Sequence, residues 1–307
     1  MDAEDGTVPL DESFTETVEY HGRLFQKYAL TNGVCFSPVD EDEVARLELM
    51  HSVLCRVFDN RLIFPPVTSP RRVLDCGFGA GDWAIDVAKH FPSCEVIGID
   101  ISPHMIPEDQ PPNLDLQIDD LNARFTFPSA HFDMVHSQMV SGGIGINRWR
   151  GYMQDIFRVL RPGGWCQMVE VYLNAQSDNG TLTREHALSK WSSHYLSALH
   201  PFKNPRAALQ LTQLMEGAGF AEVESRLLTL PMCPWSSEAR ERDIGLANVE
   251  NIPLLLRSLG LYPLTELKGM PVDEFDNLIG QAMAEAGDAS YKAYFPLYVC
   301  IGRKPRR

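Results

Sequence analysis

The chain has 307 residues, of which 44% are hydrophobic and 22% charged, enough to bury a sizeable core and too apolar for extensive disorder. Lys and Arg number 27 against 41 Asp and Glu, a net charge of −14, which argues against a phosphate backbone as partner. No apolar run approaches the ~20 residues that span a bilayer, and the acidic start Met1-Asp2-Ala3-Glu4-Asp5 is the reverse of a secretory signal.

The seven cysteines are odd in number and form no C-x-x-C pair, and the nine histidines show no H-x-H or H-E-x-x-H spacing. That pattern fits reduced thiols in the cytoplasm, or alternatively the nucleus, and no metal is assigned from it.

Residues 1–12 are acidic and expected to fray. From Ser13 to about Tyr28, apolar residues recur at loosely helical spacing. Asp40-Glu41-Asp42-Glu43 opens a clearer helix, with acids in its first turn and Val44, Leu47, Met50, Val53, Leu54 and Val57 following. Pro65-Pro66 and Pro70 mark a linker. These features predict an N-terminal helical cap over residues 1–69.

The run Arg72-Val73-Leu74-Asp75-Cys76-Gly77-Phe78-Gly79-Ala80-Gly81-Asp82 then reads as a short strand ending in an acid, a tight glycine turn and a helix start. A dinucleotide fingerprint would place its third glycine where Asp82 stands, and acids there repel a pyrophosphate. The spacing instead suits S-adenosylmethionine (SAM), which carries an ammonium and a sulfonium and no phosphate. A second strand, Glu95-Val96-Ile97-Gly98-Ile99-Asp100, ends in another acid at the distance expected for a ribose ligand. A third, Leu114 to Ile118, closes on Asp119-Asp120-Leu121, and a fourth, Phe132 to Ser137, ends at His136, Ser137 and Gln138. Trp149 to Leu160 is expected to be helical. Arg161-Pro162-Gly163-Gly164 is a turn into a fifth strand, Trp165 to Tyr172.

Strands alternating with helices imply a mainly parallel sheet, so residues 70–175 are expected to form a Rossmann-like core. Residues 176–307 are expected to supply helical lid insertions (Leu182–Leu199, Ala207–Gly217, Ser236–Leu259, Val272–Glu285) and the last strands (Phe220–Leu230, Ala293–Ile301). The basic Arg303-Lys304-Pro305-Arg306-Arg307 reads as a solvated tail.

Ligands of open parallel sheets bind outside the carboxyl ends of the strands, and four consecutive ends here are polar. Each acid also has a local use, tying down a loop, capping a helix or forming a turn. Asp100 offers two acceptor oxygens to two ribose hydroxyls, with Ile101 beside it. Asp120, preferred over Asp119, accepts from the adenine amino group, with Leu121 as wall. Asp75 faces the ammonium, and Gly77, Phe78 and Gly79 let the methionine moiety lie on the backbone. His136 either braces that moiety or takes a proton from the nucleophile, with cofactor contact favoured; Ser137 adjoins it. Gln138, Glu170 and Tyr172 are further candidates on the catalytic side, as is His21. Trp235 is singled out as a substrate-pocket residue from the aromatic content of the lid (Met139, Trp149, Tyr172, Trp191, Tyr195).

Taken together, Val73-Leu74-Asp75 with its glycines, Val96 to Pro103, Phe132-Asp133, Leu160 to Trp165 and Tyr294 to Val299 resemble the fungal LaeA-like (UMTA-type) class I methyltransferases over Tyr20 to Pro305. Gly22-Arg23-Leu24-Phe25-Gln26-Lys27-Tyr28 is similar to that family's G-R-x-Y-x-x-Y element. The resemblance implies a seven-stranded Rossmann-like fold with the last strand antiparallel, SAM as cofactor and a role in fungal secondary metabolism. It also implies cofactor contacts for Arg23, a bidentate donor suited to the SAM carboxylate, and for Tyr28. Phe25 stands where the family has its first tyrosine, and His104 to Glu108 departs from the family's usual run. Three readings follow: methyl transfer to a small-molecule acceptor, a regulator acting through protein partners, or a SAM-binding fold catalysing another reaction.

Overall fold

A computed structural model describes residues 9–306; most of the acidic start and Arg307 of the basic run lie outside the described residues. The first elements are strands. Strand β1 (Thr17–Tyr20) and β2 (Arg23–Gln26) form an antiparallel hairpin where the spacing suggested a helix. His21 and Gly22, both at positive φ (51° and 78°), make the tight turn between them. The short helix α1 (Lys27–Thr31) follows, then α2 (Glu41–Val57), capped by the Asp40 carboxylate on the Glu43 N–H at 3.1 Å.

The core elements are β3 (Arg72–Cys76), α3 (Asp82–His90), β4 (Glu95–Asp100), β5 (Leu114–Ile118), β6 (Phe132–Gln138), α4 (Trp149–Val159) and β7 (Leu160–Val171). After them come β8 (Gln176–Ser177), α5 (Ala187–Leu199), α6 (Leu211–Ala218), β9 (Ala221–Pro231), α7 (Ala239–Tyr262), α8 (Val272–Gly287) and β10 (Ala293–Arg303). The sheet runs β5-β4-β3-β6-β7-β10-β9, with β8 extending the β7 side of β10. The first five strands are parallel; β10 is antiparallel to both of its long neighbours.

Side-chain alternation on the strands fills both faces. Val73, Val96 and Met134 pack under Trp83, Ala84 and Val87 of α3. Leu74, Ile97, Ile99 and Val135 pack against Trp149, Tyr152, Met153 and Ile156 of α4. A separate cluster joins α2, α5, α7 and α8 to β10 around Trp191, Leu255, Phe275 and Phe295. Helix α2 therefore belongs to the helical roof while its inner face looks down on the strand ends. Among the described residues no helix is long and apolar enough to cross a membrane.

The basic run does not trail free. Lys304 Nζ donates to the Phe157 and Leu160 carbonyls, each at 2.7 Å, and Arg303 pairs with Glu222 at 3.0 Å.

One carboxylate fastens the hairpin to the roof. Asp40 accepts two hydrogen bonds from Arg23 (2.6 and 2.8 Å) and one from the Leu24 N–H at 3.0 Å, besides capping α2. The Asp40→Ala variant is expected to lose about 2–3 kcal/mol in urea unfolding, because one half-buried arginine and two backbone donors lose their partner together.

Candidate active site

The strand order reverses between β3 and β6, and above that point, roofed by α2, lies a cavity of about 230 Å³. Its floor is the glycine loop. Gly77 (φ 79°) and Gly79 (φ 59°) hold left-handed backbone, and a Cβ built on Gly77 would sit 2.6 Å from Val140 Cγ1. The loop leads into α3, whose N-cap is Gly81; Asp82 is the first helical residue, on the cavity wall.

Two strand-end acids stand side by side over this floor. Asp100 accepts from the Gly79 N–H through Oδ2 and from the Ser102 N–H through Oδ1, both at 3.0 Å. Asp75 is 3% exposed and accepts no hydrogen bond from the described residues. Burial, then the nearby Asp100 charge, push the Asp75 carboxyl up to about 8, against a smaller pull from His51. Burial raises Asp100 as well, opposed by its backbone donors. On the far side Asp120 receives the Asn122 N–H at 2.8 Å, and Leu121 completes the wall.

Of the cofactor and catalytic candidates, Asp75, Gly77, Phe78, Gly79, Asp100, Ile101, Asp120, Leu121 and Gln138 line the cavity. Five others do not. His136 and Ser137 are fully buried, and the pleat of β6 explains why. His136 points into the α3 layer, its ring stacked on Trp83 at 3.7 Å and its Nδ1 3.2 Å from Gln167 Nε2. Burial drives its pKa down to about 3, so it takes up a proton weakly, and its ring faces Trp83 instead of the cavity. Ser137 points into the opposite layer and accepts the Tyr152 hydroxyl at 2.8 Å. Gln138, one residue further, clears the sheet edge and reaches the cavity.

Arg23 is consumed by Asp40, Tyr28 stacks on Phe14 at 4.3 Å, and Asp119 bonds the Asp120 N–H instead of facing the cavity. Phe25 is a core residue against Tyr20 and Tyr262, so the missing hydroxyl leaves the cavity wall unchanged. His21 pairs with Glu266 at 3.1 Å, and Trp235 donates to the Ala293 carbonyl at 2.9 Å; neither lines the cavity, nor does Tyr172.

The sequence reading missed three contributors. Gln26 bonds the Phe14 and Ile101 carbonyls through Nε2, leaving Oε1 without a partner on the cavity wall. Arg46 grips Glu43 at 2.7 and 2.9 Å, and its Nη1 is likewise unpartnered. Glu43 also takes the Ser258 hydroxyl, which ties α2 to α7. His51 contacts Asp86 at 2.9 Å and Cys55 at 3.4 Å. Burial opposes its charge, but these hydrogen bonds outweigh burial and lift its pKa to about 9. His51, Cys55 and Asp86 converge closely enough to suggest a metal triad, yet the ion pair already accounts for the cluster. The i, i+3 spacing of Glu43 and Arg46 after an Asp cap was the available signal; nothing local marked Gln26.

This arrangement, phosphate-repelling acids on a glycine turn with a cation-bearing helix above, is that of a class I methyltransferase, whose methyl donor is SAM. A methyltransferase-domain family model matches residues 73–164. The secondary metabolism regulator laeA of Monascus pilosus is 31% identical over 97% of this chain and 81% of its own length. The Emericella nidulans relative named protein-methionine methyltransferase laeA is 28% identical over 97% of the chain and 80% of its own length. A solved phosphoethanolamine N-methyltransferase 2 of Haemonchus contortus, 20% identical, superposes with a TM-score of 0.51 over 83% of this chain. The match spans about half (52%) of that larger chain. The chain belongs to the LaeA family of fungal methyltransferases.

The state of Asp75 makes two measurable demands. Between the ordinary carboxyl pKa and about 8 the folded chain keeps a proton that the unfolded chain has lost, so this residue lowers stability as pH rises through that window. Asp75→Asn is expected to raise the ligand-free Tm at pH 8 while weakening SAM binding about tenfold or more. In the wild type, calorimetry should find SAM affinity climbing as pH rises toward 8, with a proton released on binding at pH 7.

Proposed function

We propose that the chain transfers the methyl group of SAM to a small organic acceptor held between the sheet and the helical roof. One observation carries this reading: the cavity that Asp75 and Asp100 line is also walled by apolar Val34, Val39, Val171, Leu173 and Leu259. Apolar walls of that kind suit a compact apolar acceptor.

The donor's outline fits the residues present. Asp100 and the free Oε1 of Gln26 sit together where ribose hydroxyls would be received, and Asp120 with Leu121 where adenine would lie. The unpartnered Asp75 carboxylate suits the ammonium, while His51 and the free Nη1 of Arg46 suit the carboxylate, a role the family resemblance implied for Arg23. When bound, SAM supplies a methyl group already activated on a sulfonium. What remains for the protein is alignment and the exclusion of water. Helix α2 serves both ends, because Arg46, Leu47, Met50 and His51 all look into the cavity.

A protein acceptor is the second reading, favoured by the name of the Emericella nidulans relative. The two separate in one experiment. Tritiated-methyl SAM is incubated with purified protein and, in parallel, a metabolite extract and a protein extract of the producing organism. Label in an extractable small molecule, lost with Asp100→Ala, is expected. Label confined to protein would overturn the proposed acceptor.

A further inference from the structure

We infer that two copies of this chain pair edge to edge through β9, joining their sheets about a two-fold axis at Ser225. The inference is independent of the reaction: it concerns the outer edge of the sheet, and no residue of β9 lines the cavity.

Strand β9 is bonded to β10 on one side, and among the described residues no strand lies on its other side. The bonds of a strand point alternately to its two sides. Pro296 of β10 turns its carbonyl toward β7, where it accepts the Tyr172 N–H at 2.8 Å. Leu297, Val299 and Ile301 therefore turn theirs toward β9, onto Leu228, Arg226 and Glu224. By the same alternation Val223, Ser225 and Leu227 aim their N–H and carbonyl groups outward. The stretch they occupy is largely exposed, and Leu227 is 61% exposed, a large apolar side chain left in water within a strand. A row of outward strand groups is a template for another strand.

The order of charges says which strand. An edge guarded against pairing carries a lysine, a proline or charges that repel a like edge. Here Glu224 and Arg226 flank Ser225 with opposite signs and share one face. An antiparallel copy centred on Ser225 sets Glu224 of each chain against Arg226 of the other. On the opposite face the same register sets Val223 against Leu227, which covers the exposed leucine. At the axis the two Ser225 residues exchange both backbone bonds. Moving the axis one residue either way sets Glu224 against Glu224 or Arg226 against Arg226. Glu222, at positive φ (52°) and paired with Arg303, ends the regular stretch on that side.

The pairing leaves both sites open. Strands β7 and β9 are each antiparallel to β10, so β9 runs the way of the parallel strands. The second sheet then runs the other way, and its cavity opens on the opposite edge of the joined sheet.

Sedimentation velocity on the full chain tests the pairing. Wild type should pass from monomer to dimer below about 100 μM. Glu224→Arg and Arg226→Glu each turn two attractions into two repulsions and should weaken the dimer about tenfold or more. The double variant E224R/R226E should regain wild-type association. Ser225→Pro removes the outward N–H and spares the bonds to β10, so it should be monomeric with a Tm close to that of wild type. A monomeric wild type at that concentration would leave the edge to some other protein and overturn the inference. So would a dimer indifferent to the single reversals, or a double variant that does not recover. Should S225P not fold, the charge exchange decides alone.

Discussion

Two acidic side chains on neighbouring strand ends set the terms for this protein. Asp75 and Asp100 stand at the carboxyl ends of adjacent parallel strands, where burial and the Asp100 charge keep Asp75 protonated against a smaller pull from His51. Backbone donors at Gly79 and Ser102 satisfy Asp100; Asp75 has no comparable support. The fold tolerates that cost because the rest of the sheet is packed on both faces with apolar side chains. A cationic ligand repays it locally, which makes the empty site slightly unstable by construction and selective against phosphates.

The roof is built around the same economy of charge. Helix α2 carries its cations inward, Arg46 against Glu43 and His51 against Asp86, each pair leaving one donor or face toward the cavity. Its position is fixed from outside by Asp40 and Arg23 and from above by α7 through Ser258. Among the buried polar atoms left without partners, those of Gln26 and Arg46 belong to residues that line the cavity.

The strands, the glycine turn and the acids at their ends were legible because each obeys a local rule: a short apolar run, a left-handed turn, an acid at the strand's end. The family resemblance agreed on SAM and added the antiparallel last strand. What could not be read was direction. His136, Ser137 and Gln138 are consecutive, and only the pleat decides that the first two face opposite layers while the third clears the edge. The N-terminal segment misled for a related reason: a four-residue strand is too short to show its period of two, and aromatic spacing mimicked a helix. Arg23 looked free in sequence because its partner lies 17 residues on, at the cap of another helix.

The strand that comes last in the sheet's chain order is also an interior one. Residues 293–303 slot between β7 and β9, bonded on both sides along most of their length. Until they arrive, two strands present bare edges, a state in which nascent chains stick to one another. Closure of the sheet thus waits on residues 293–303, and a chain lacking them would leave adhesive edges on both β7 and β9.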